Sequence, residues 1–189
     1  KYFRNNLEDF PKKPYLISDK KIDIKFKKKL DKLGKKPKIG LSWKSVINIY
    51  GKLKSLSLND FKPIMNDNNI YINLQYGKTR SEINEFKKQG YNLHSFDELD
   101  IFNDFESCLS ILNNLDIFVT VSNSTAHLAA SLGVKTIIIC PKKSSTYYYW
   151  DYNNGLTPWY NNVKVIKYKD SLINTVEEAN KAINKLLWN

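Results

Sequence analysis

The sequence predicts an α/β domain built on a parallel sheet with helices on both faces, and three observations carry that prediction. First, short β-branched and aromatic runs of strand length stand at residues 38–43, 70–74, 116–121, 135–139 and 163–166. Second, the stretches between them are long enough for a crossover and carry apolar residues at helical spacing, the pattern of strand-helix-strand units whose strands run parallel. Third, the helical stretches are punctuated. Asp19, Ser57 and Asp104 or Asn103 stand where N-caps belong, and Gly34, Gly90 and Gly133 stand where helices end. Together these give a Rossmann-like arrangement.

In chain order, residues 1–18 contain two prolines and no sustained period, so they read as an extended lead-in. A basic helix over about residues 20–33 follows, with Ile22, Phe26, Leu30 and Leu33 on one side and lysines on the other. The first strand, KIGLSW, runs directly into Lys44. Residues 45–56 then form a loop with Gly51 and the basic positions Lys52 and Lys54. Ser57 caps a short helix through about Met65, with Leu58 and Phe61 inward and Pro63 limiting its length. A strand at 70–74, a helix from Ser81 closed by Gly90, and a brief strand at 92–94 come next. An acidic stretch leads into a helix in which Phe105, Cys108, Leu112 and Leu115 repeat with a 3-4 rhythm. After the strand ending at Ile139, the aromatic stretch STYYYWDYNNGLTPWY holds too many rings for an idle loop and reads as a lid over a crevice or packing for another domain. The last strand and a helix over 172–187 complete the chain.

At 189 residues the chain accommodates one well-buried domain, or one domain plus an extension. Its longest apolar runs fall far below the roughly 18 residues of a membrane span, and nothing resembles a secretory leader, so a soluble cytoplasmic protein is expected. Cys108 and Cys140 lie within a predicted helix and strand and fit reduced thiols. The net charge of +11 invites a nucleic-acid reading. Much of that excess is the wet face of the basic helix, however, and abundant Lys, Asn and Ile look like a compositional bias, so no nucleic-acid partner is expected. No metal motif is visible.

The stretch around which the chain is organised is LDIFVTVSNSTAHLAASLGVKTIIICP: strand, polar turn, helix, strand. Ser122, Asn123, Ser124 and Thr125 crowd the amino end of that helix, where unpaired N–H groups and the helix dipole favour an anion. The same residues serve equally as an ordinary N-cap, and His127, one turn in, is equally a packed side chain. Lys44, just past a strand end, points toward the crevice edge of an open sheet and can meet a phosphate, or is one more surface lysine. Gln75 and Tyr76 offer a donor, an acceptor and a flat face for a nucleobase or ribose, or form a plain turn. Asp97 follows a strand, where a carboxylate can take a ribose hydroxyl.

GLSWKS, KSLSL, INLQYG, LDIFVTVSNSTAHLAASLG and TPWY, in this order, resemble the C-terminal domain of bacterial glycosyltransferases of the heptosyltransferase-like family 9 kind, most of all those fused to tetratricopeptide repeats. The resemblance covers about residues 36–168. It implies one half of a GT-B architecture, in which this domain binds a nucleoside-diphosphate sugar as substrate, without a cofactor. A second domain would supply the acceptor site and the catalytic base. Residues 1–35 are then a linker and helix crossing over from a missing N-terminal domain, and 36–189 the nucleotide-sugar-binding domain. The resemblance implies that Ser122, Asn123, Ser124 and Thr125 hold the diphosphate, that His127 supports the turn or contacts the donor, that Lys44 neutralises phosphate, and that Gln75 and Tyr76 border the nucleoside. Two departures stand out: Ser122-Asn123 where many relatives have Asp-Thr, and Tyr148, Tyr149 and Trp150 in place of a WRW-like stretch. The acceptor, whether glycan, lipid or protein, is not implied. A non-catalytic nucleotide-sugar-binding or interaction module and a GT-B-fold epimerase are the alternative readings.

Overall fold

The computed structural model describes residues 6–10, 12–46, 50–151 and 157–188. Parts of the expected lead-in (1–5 and 11), of the loop after the first strand (47–49) and of the aromatic stretch (152–156) lie outside the described residues. Five parallel strands form one sheet: β1 (Lys38–Ser42), β2 (Ile70–Asn73), β3 (Ile117–Thr120), β4 (Thr136–Ile139) and β5 (Val163–Ile166), in the order β2-β1-β3-β4-β5. The helices are α1 (Lys20–Asp31), α2 (Tyr50–Lys54), α3 (Arg80–Lys88), α4 (Phe105–Asn113), α5 (Ser124–Leu132) and α6 (Leu172–Trp188). The brief strand expected at 92–94 reduces to a parallel bridge between His94 and Ile72 at the outer edge of β2. From β1 the chain moves outward to β2, then returns past β1 to β3, so the order reverses between the carboxyl ends of β1 and β3. In open α/β sheets that reversal opens a crevice.

Side chains alternate across the sheet and both faces are covered, which is why the strands read as near-continuous apolar runs. Ile39, Leu41, Tyr71, Ile117, Val119, Ile137 and Ile139 pack with Ile83 and Phe86 of α3, Val176, Ala179 and Ile183 of α6, and the tight 3-10 turn Leu58–Ile64. Ile70, Ile72 and Phe118 point the other way, onto Phe26 and Leu30 of α1, Ile111 and Leu112 of α4, and Ala129 of α5. The basic helix is thereby part of this domain's second core. Its start is set by Asp19, whose carboxylate accepts from the N–H groups of Lys21 (2.9 Å) and Ile22 (3.0 Å). Pro63 removes a backbone donor from the segment after Ser57, and the result is a 3-10 turn with Leu58, Phe61 and Ile64 buried.

Two expectations are corrected. Phe105, placed inside α4 by the 3-4 rhythm, is 57% exposed: Asp104 caps the helix at Ser107 N (3.0 Å), and Phe105, its first residue, precedes the buried run 107–112. Trp150 and Tyr160, expected in a lid or against another domain, belong to a third core of this domain, with Ala126 and Ala130 of α5, Ile138, Cys140 and Val165. The small alanines leave room for the indole. Tyr148, by contrast, is exposed.

The lead-in is bound to α5. The N–H groups of Tyr15 and Leu16 both donate to the Ser131 carbonyl (2.9 and 3.1 Å). Gly133 closes α5 at φ +88°, and a Cβ there would lie 2.7 Å from Pro14 Cγ. Gly133→Ala is expected to destabilise the domain by about 1–3 kcal/mol in urea denaturation, from left-handed strain together with overpacking against the lead-in.

Candidate functional site

The crevice is built on a line of side-chain hydrogen bonds across three strand ends. The Asn123 amide donates to Ser42 Oγ (2.9 Å), and Ser42 Oγ donates to Gln75 Oε1 (3.0 Å). Gln75 Oε1 also accepts from the N–H groups of Trp43 (2.7 Å) and Lys44 (2.6 Å), which have left the sheet ladder, and its amide nitrogen donates to the Tyr76 and Lys44 carbonyls (2.9 and 3.3 Å). Both ends of the buried Gln75 amide are thus used inside the protein. The nucleoside contact expected of it is displaced by this strand-end role.

Beyond Lys44, residues 51–56 lie back against the end of β1. Ser55 Oγ accepts from Ser45 N (2.9 Å) and donates to the Gly51 carbonyl (2.7 Å), while Leu56 N donates to the Trp43 carbonyl (2.7 Å). Gly51 permits this return, since a Cβ there would lie 2.5 Å from the Ser45 carbonyl oxygen. The consequence is the position of Lys54. Only 6% exposed, it lines a cleft of 390 Å³ at the β1/β3 reversal together with Ser122, Asn123, Ser124, Thr125 and His127. Burial lowers its pKa below the usual lysine range, and its Nζ lies 5.3 Å from the centre of the Tyr147 ring. Among the described residues no carboxylate pairs with it, and none lines the cleft.

Asn123 caps α5, its side-chain oxygen accepting from Ala126 N (3.0 Å). The N–H groups of Ser124 and Thr125, in the first turn, have no carbonyl within the helix to meet. Ser122 Oγ is held by the Trp150 indole N–H (2.9 Å). His127 stacks on Trp150 with ring centres 4.2 Å apart, and its Nδ1 lies 3.2 Å from Tyr160 Oη. Burial, with the Lys54 charge adding to it, holds the imidazole down at a pKa of about 4, so the ring is neutral at pH 7.

The predicted site residues therefore divide. Ser122, Asn123, Ser124, Thr125 and His127 converge on the smaller cleft, and Tyr76 lines its wall. Gln75 and Asp97 lie on a neighbouring cleft of 880 Å³ between α3 and the 95–102 loop; Tyr76 and Phe102, with ring centres 6.2 Å apart, line both. Lys44 turns its ammonium to Glu82 of α3 and lines neither cleft. Burial alone would raise the Glu82 carboxyl, but donors from Leu58 N, the Lys44 ammonium and the Trp43 indole outweigh it and hold it below the usual range. The cation of the crevice is Lys54. It opens the KSLSL run, which is the one signal in the sequence that marks it.

This fold, a five-stranded parallel sheet flanked by helices with its crevice at the strand-order reversal, is Rossmann-like and matches one half of a GT-B glycosyltransferase. The ADP-heptose LPS heptosyltransferase II of E. coli superposes with a TM-score of 0.63 at 16% identity, over 95% of this chain and 56% of that one. The wall teichoic acid polymerase TagF aligns over 86% of this chain and 38% of its own at a TM-score of 0.42 and 16% identity. In sequence, the chain is 28% identical to Protein FlbA of Caulobacter vibrioides over 165 residues, 85% of this chain and 27% of that protein. The chain therefore spans little more than half of the heptosyltransferase and about a quarter of FlbA. No family model matches.

The buried imidazole gives a pH signature. His127 takes up its proton near pH 4 in the folded state and near 6.5 when unfolded, so its contribution is intact above about pH 6.5 and stability is lost as pH falls from there toward 4. His94, lowered by burial and by Lys87, acts in the same direction. An NMR titration is expected to place the His127 midpoint near 4, and Lys54→Met to move it upward; a midpoint near 6.5 in the folded protein would refute the buried, neutral ring.

Proposed function

We propose that this domain binds the donor of a glycosyltransferase, one that moves a sugar from a nucleoside-diphosphate sugar to an acceptor hydroxyl. The observation that carries the reading is the pairing, across one cleft at the strand-order reversal, of an α5 terminus with free N–H groups and a buried lysine that lacks a carboxylate partner. Buried charges are ordinarily paired, so this arrangement asks for an anion. A diphosphate fits: Ser124 N–H and Thr125 N–H meet one phosphate, the Ser124 and Thr125 hydroxyls add donors, and the Lys54 ammonium meets the other. In the reaction negative charge grows on the departing diphosphate, and these groups are aimed where it develops. Tyr76 and Phe102, at the border with the larger cleft, flank the nucleoside, and Asp97 beyond them meets ribose.

The likeness of the fold to the heptosyltransferase supports this reading, and so does the agreement between the α5 terminus and the SNSTAHLAASLG resemblance. Among the described residues no carboxylate lines the cleft to deprotonate an acceptor, and the low pKa of His127 makes its imidazole a weak base, so a catalytic base is assigned to a second domain of the working protein. That absence also keeps a non-catalytic nucleotide-sugar-binding module as the second reading. The buried thiols of Cys108 and Cys140, both raised by burial, suit a reducing cytoplasm. No described helix is long and apolar enough to cross a membrane.

In calorimetry with ADP, UDP and GDP, at least one nucleoside diphosphate is expected to bind. Lys54→Met is expected to weaken it by about 1.5–3 kcal/mol, the range of a charge-assisted hydrogen bond. Lys44→Met should change it by less than about 0.5 kcal/mol, as for an exposed ion pair. Equal affinity in wild type and Lys54→Met would remove the lysine from the site. With the full-length protein, a labelled nucleotide sugar separates transfer, the expected outcome, from epimerisation or mere retention.

A further inference from the structure

The lead-in and α1 concentrate the charge of the chain. Residues 12–36 hold eleven lysines and three aspartates, so this stretch carries +8 of the net +11. Two of the three carboxylates are used by the fold itself. Asp19 caps α1, and Asp23 Oδ1 accepts from Ser18 Oγ (2.9 Å) and from the side-chain amides of Asn113 and Asn114 (both 3.1 Å), which fastens α1 to α4. Phe26 and Leu30 set the buried side of α1, and on its flank Lys29 pairs with Glu98. At about 100° per residue, Lys20, Lys21, Lys27, Lys28 and Lys32 then stand on the outward side, with Asp31 as the acid that shares it. These five lysines are exposed, and among the described residues no carboxylate pairs with any of them. At the centre of this side is Ile24, 54% exposed, and its four helical neighbours at i−4, i−3, i+3 and i+4 are all lysine. Ile17, just ahead of the helix, is 85% exposed. Like charges at Lys21 and Lys25, and at Lys28 and Lys32, repel across one turn, and a counter-charged surface relieves that repulsion.

We propose that the outward side of α1 is a docking surface for an anionic phospholipid bilayer: Lys20, Lys21, Lys27 and Lys28 meet headgroup phosphates, and Ile24 reaches between them toward the acyl boundary. This goes beyond the donor-binding reading and needs no part of it. Charge complementarity carries the choice of partner, since clustered lysines are drawn to an anionic leaflet and each adds its own increment. Lysine suits such a surface. Its stem lies along apolar groups while the ammonium stays at the phosphates. A nucleic acid would meet the same cations, but its specific contacts draw on arginine forks and stacking rings, and this side of α1 holds neither. An aliphatic side chain centred among the lysines fits the acyl boundary instead. The contact is peripheral. Phe26 and Leu30 are committed to the second core, so the helix lies on the bilayer without entering it, and no described helix is long and apolar enough to cross a membrane.

The test is co-sedimentation of the protein with vesicles of phosphatidylcholine alone and of phosphatidylcholine mixed with phosphatidylglycerol, at about 0.15 M salt. Wild type is expected to pellet with the anionic vesicles, to stay in solution with the neutral ones, and to be largely released at about 1 M salt. Replacing Lys20, Lys21, Lys27 and Lys28 together by Gln is expected to lower partitioning by about tenfold or more. These lysines are exposed and Gln keeps their helix propensity, so the variant folds. A control with the same loss of charge around β5 and α6, Lys164, Lys169, Lys181 and Lys185 together to Gln, is expected to stay within about twofold of wild type. An equal loss in the two variants overturns the proposal, because adsorption then follows total charge and not this surface. Ile24→Ser is expected to lower partitioning about threefold, and an unchanged value overturns the part assigned to the isoleucine. Failure to pellet with anionic vesicles, equal pelleting with neutral ones, or tighter retention by an oligonucleotide at the same salt also overturns it, the last by making the surface a nucleic-acid face. None of these outcomes depends on whether a nucleotide binds the cleft.

Discussion

The line of hydrogen bonds from Asn123 through Ser42 to Gln75 holds together everything at the carboxyl edge of this sheet. Where a parallel strand ends, its backbone N–H groups lose their ladder partners while still buried, and an unmet buried donor costs about 1–3 kcal/mol. Here the Trp43 and Lys44 donors converge on one side-chain oxygen, that of Gln75. The same amide line joins β2 to β1 and reaches across to the residue that caps α5. The strand-order reversal, which would otherwise be a gap between β1 and β3, becomes a fixed edge on which a site can stand.

From that edge follow the two positive features of the cleft. With Trp43 and Lys44 pinned, the chain can fold back through Gly51 and Ser55 and hold Lys54 at 6% exposure opposite the α5 terminus. Burying an ammonium is unfavourable, as its lowered pKa registers, and the face of the Tyr147 ring offsets only part of the loss. The neighbouring imidazole responds in kind: it is desolvated, it sits near Lys54, and it stays neutral. A helix terminus, a poorly hydrated cation and a neutral ring stand together in one cleft.

The aromatic stretch shows how one segment can serve both packing and the site. Trp150 is wholly buried between α5 and the β4–β5 side of the sheet, yet its indole N–H reaches Ser122 at the start of the polar turn, and its face supports His127. Tyr160 extends the same contact to Tyr15. A side chain counted as core by its burial here also supports two residues that line the cleft, Ser122 and His127.

The architecture was legible in the chain because each strand is a short apolar run and each helix has its own stop: Gly133 at φ +88° closes α5, and Asp19 opens α1, by local bonds that need no distant partner. The polar turn Ser122 to Thr125 was legible for the same reason, since a cap lies next to the helix it caps. What the sequence could not reveal was which of many lysines faces the cleft. Lys44 stands beside a strand end, but Glu82, thirty-eight positions later, draws its ammonium away, while Lys54 is carried in by a return loop whose geometry rests on the Gly51–Ser45 approach. Gln75 was likewise chosen by distant backbone groups, and Tyr160 was joined to Tyr15 from 145 residues away. Sequence determined the elements and the anion-favouring helix start; only tertiary packing decided the cation and the surroundings of His127, because those depend on contacts between residues far apart in the chain.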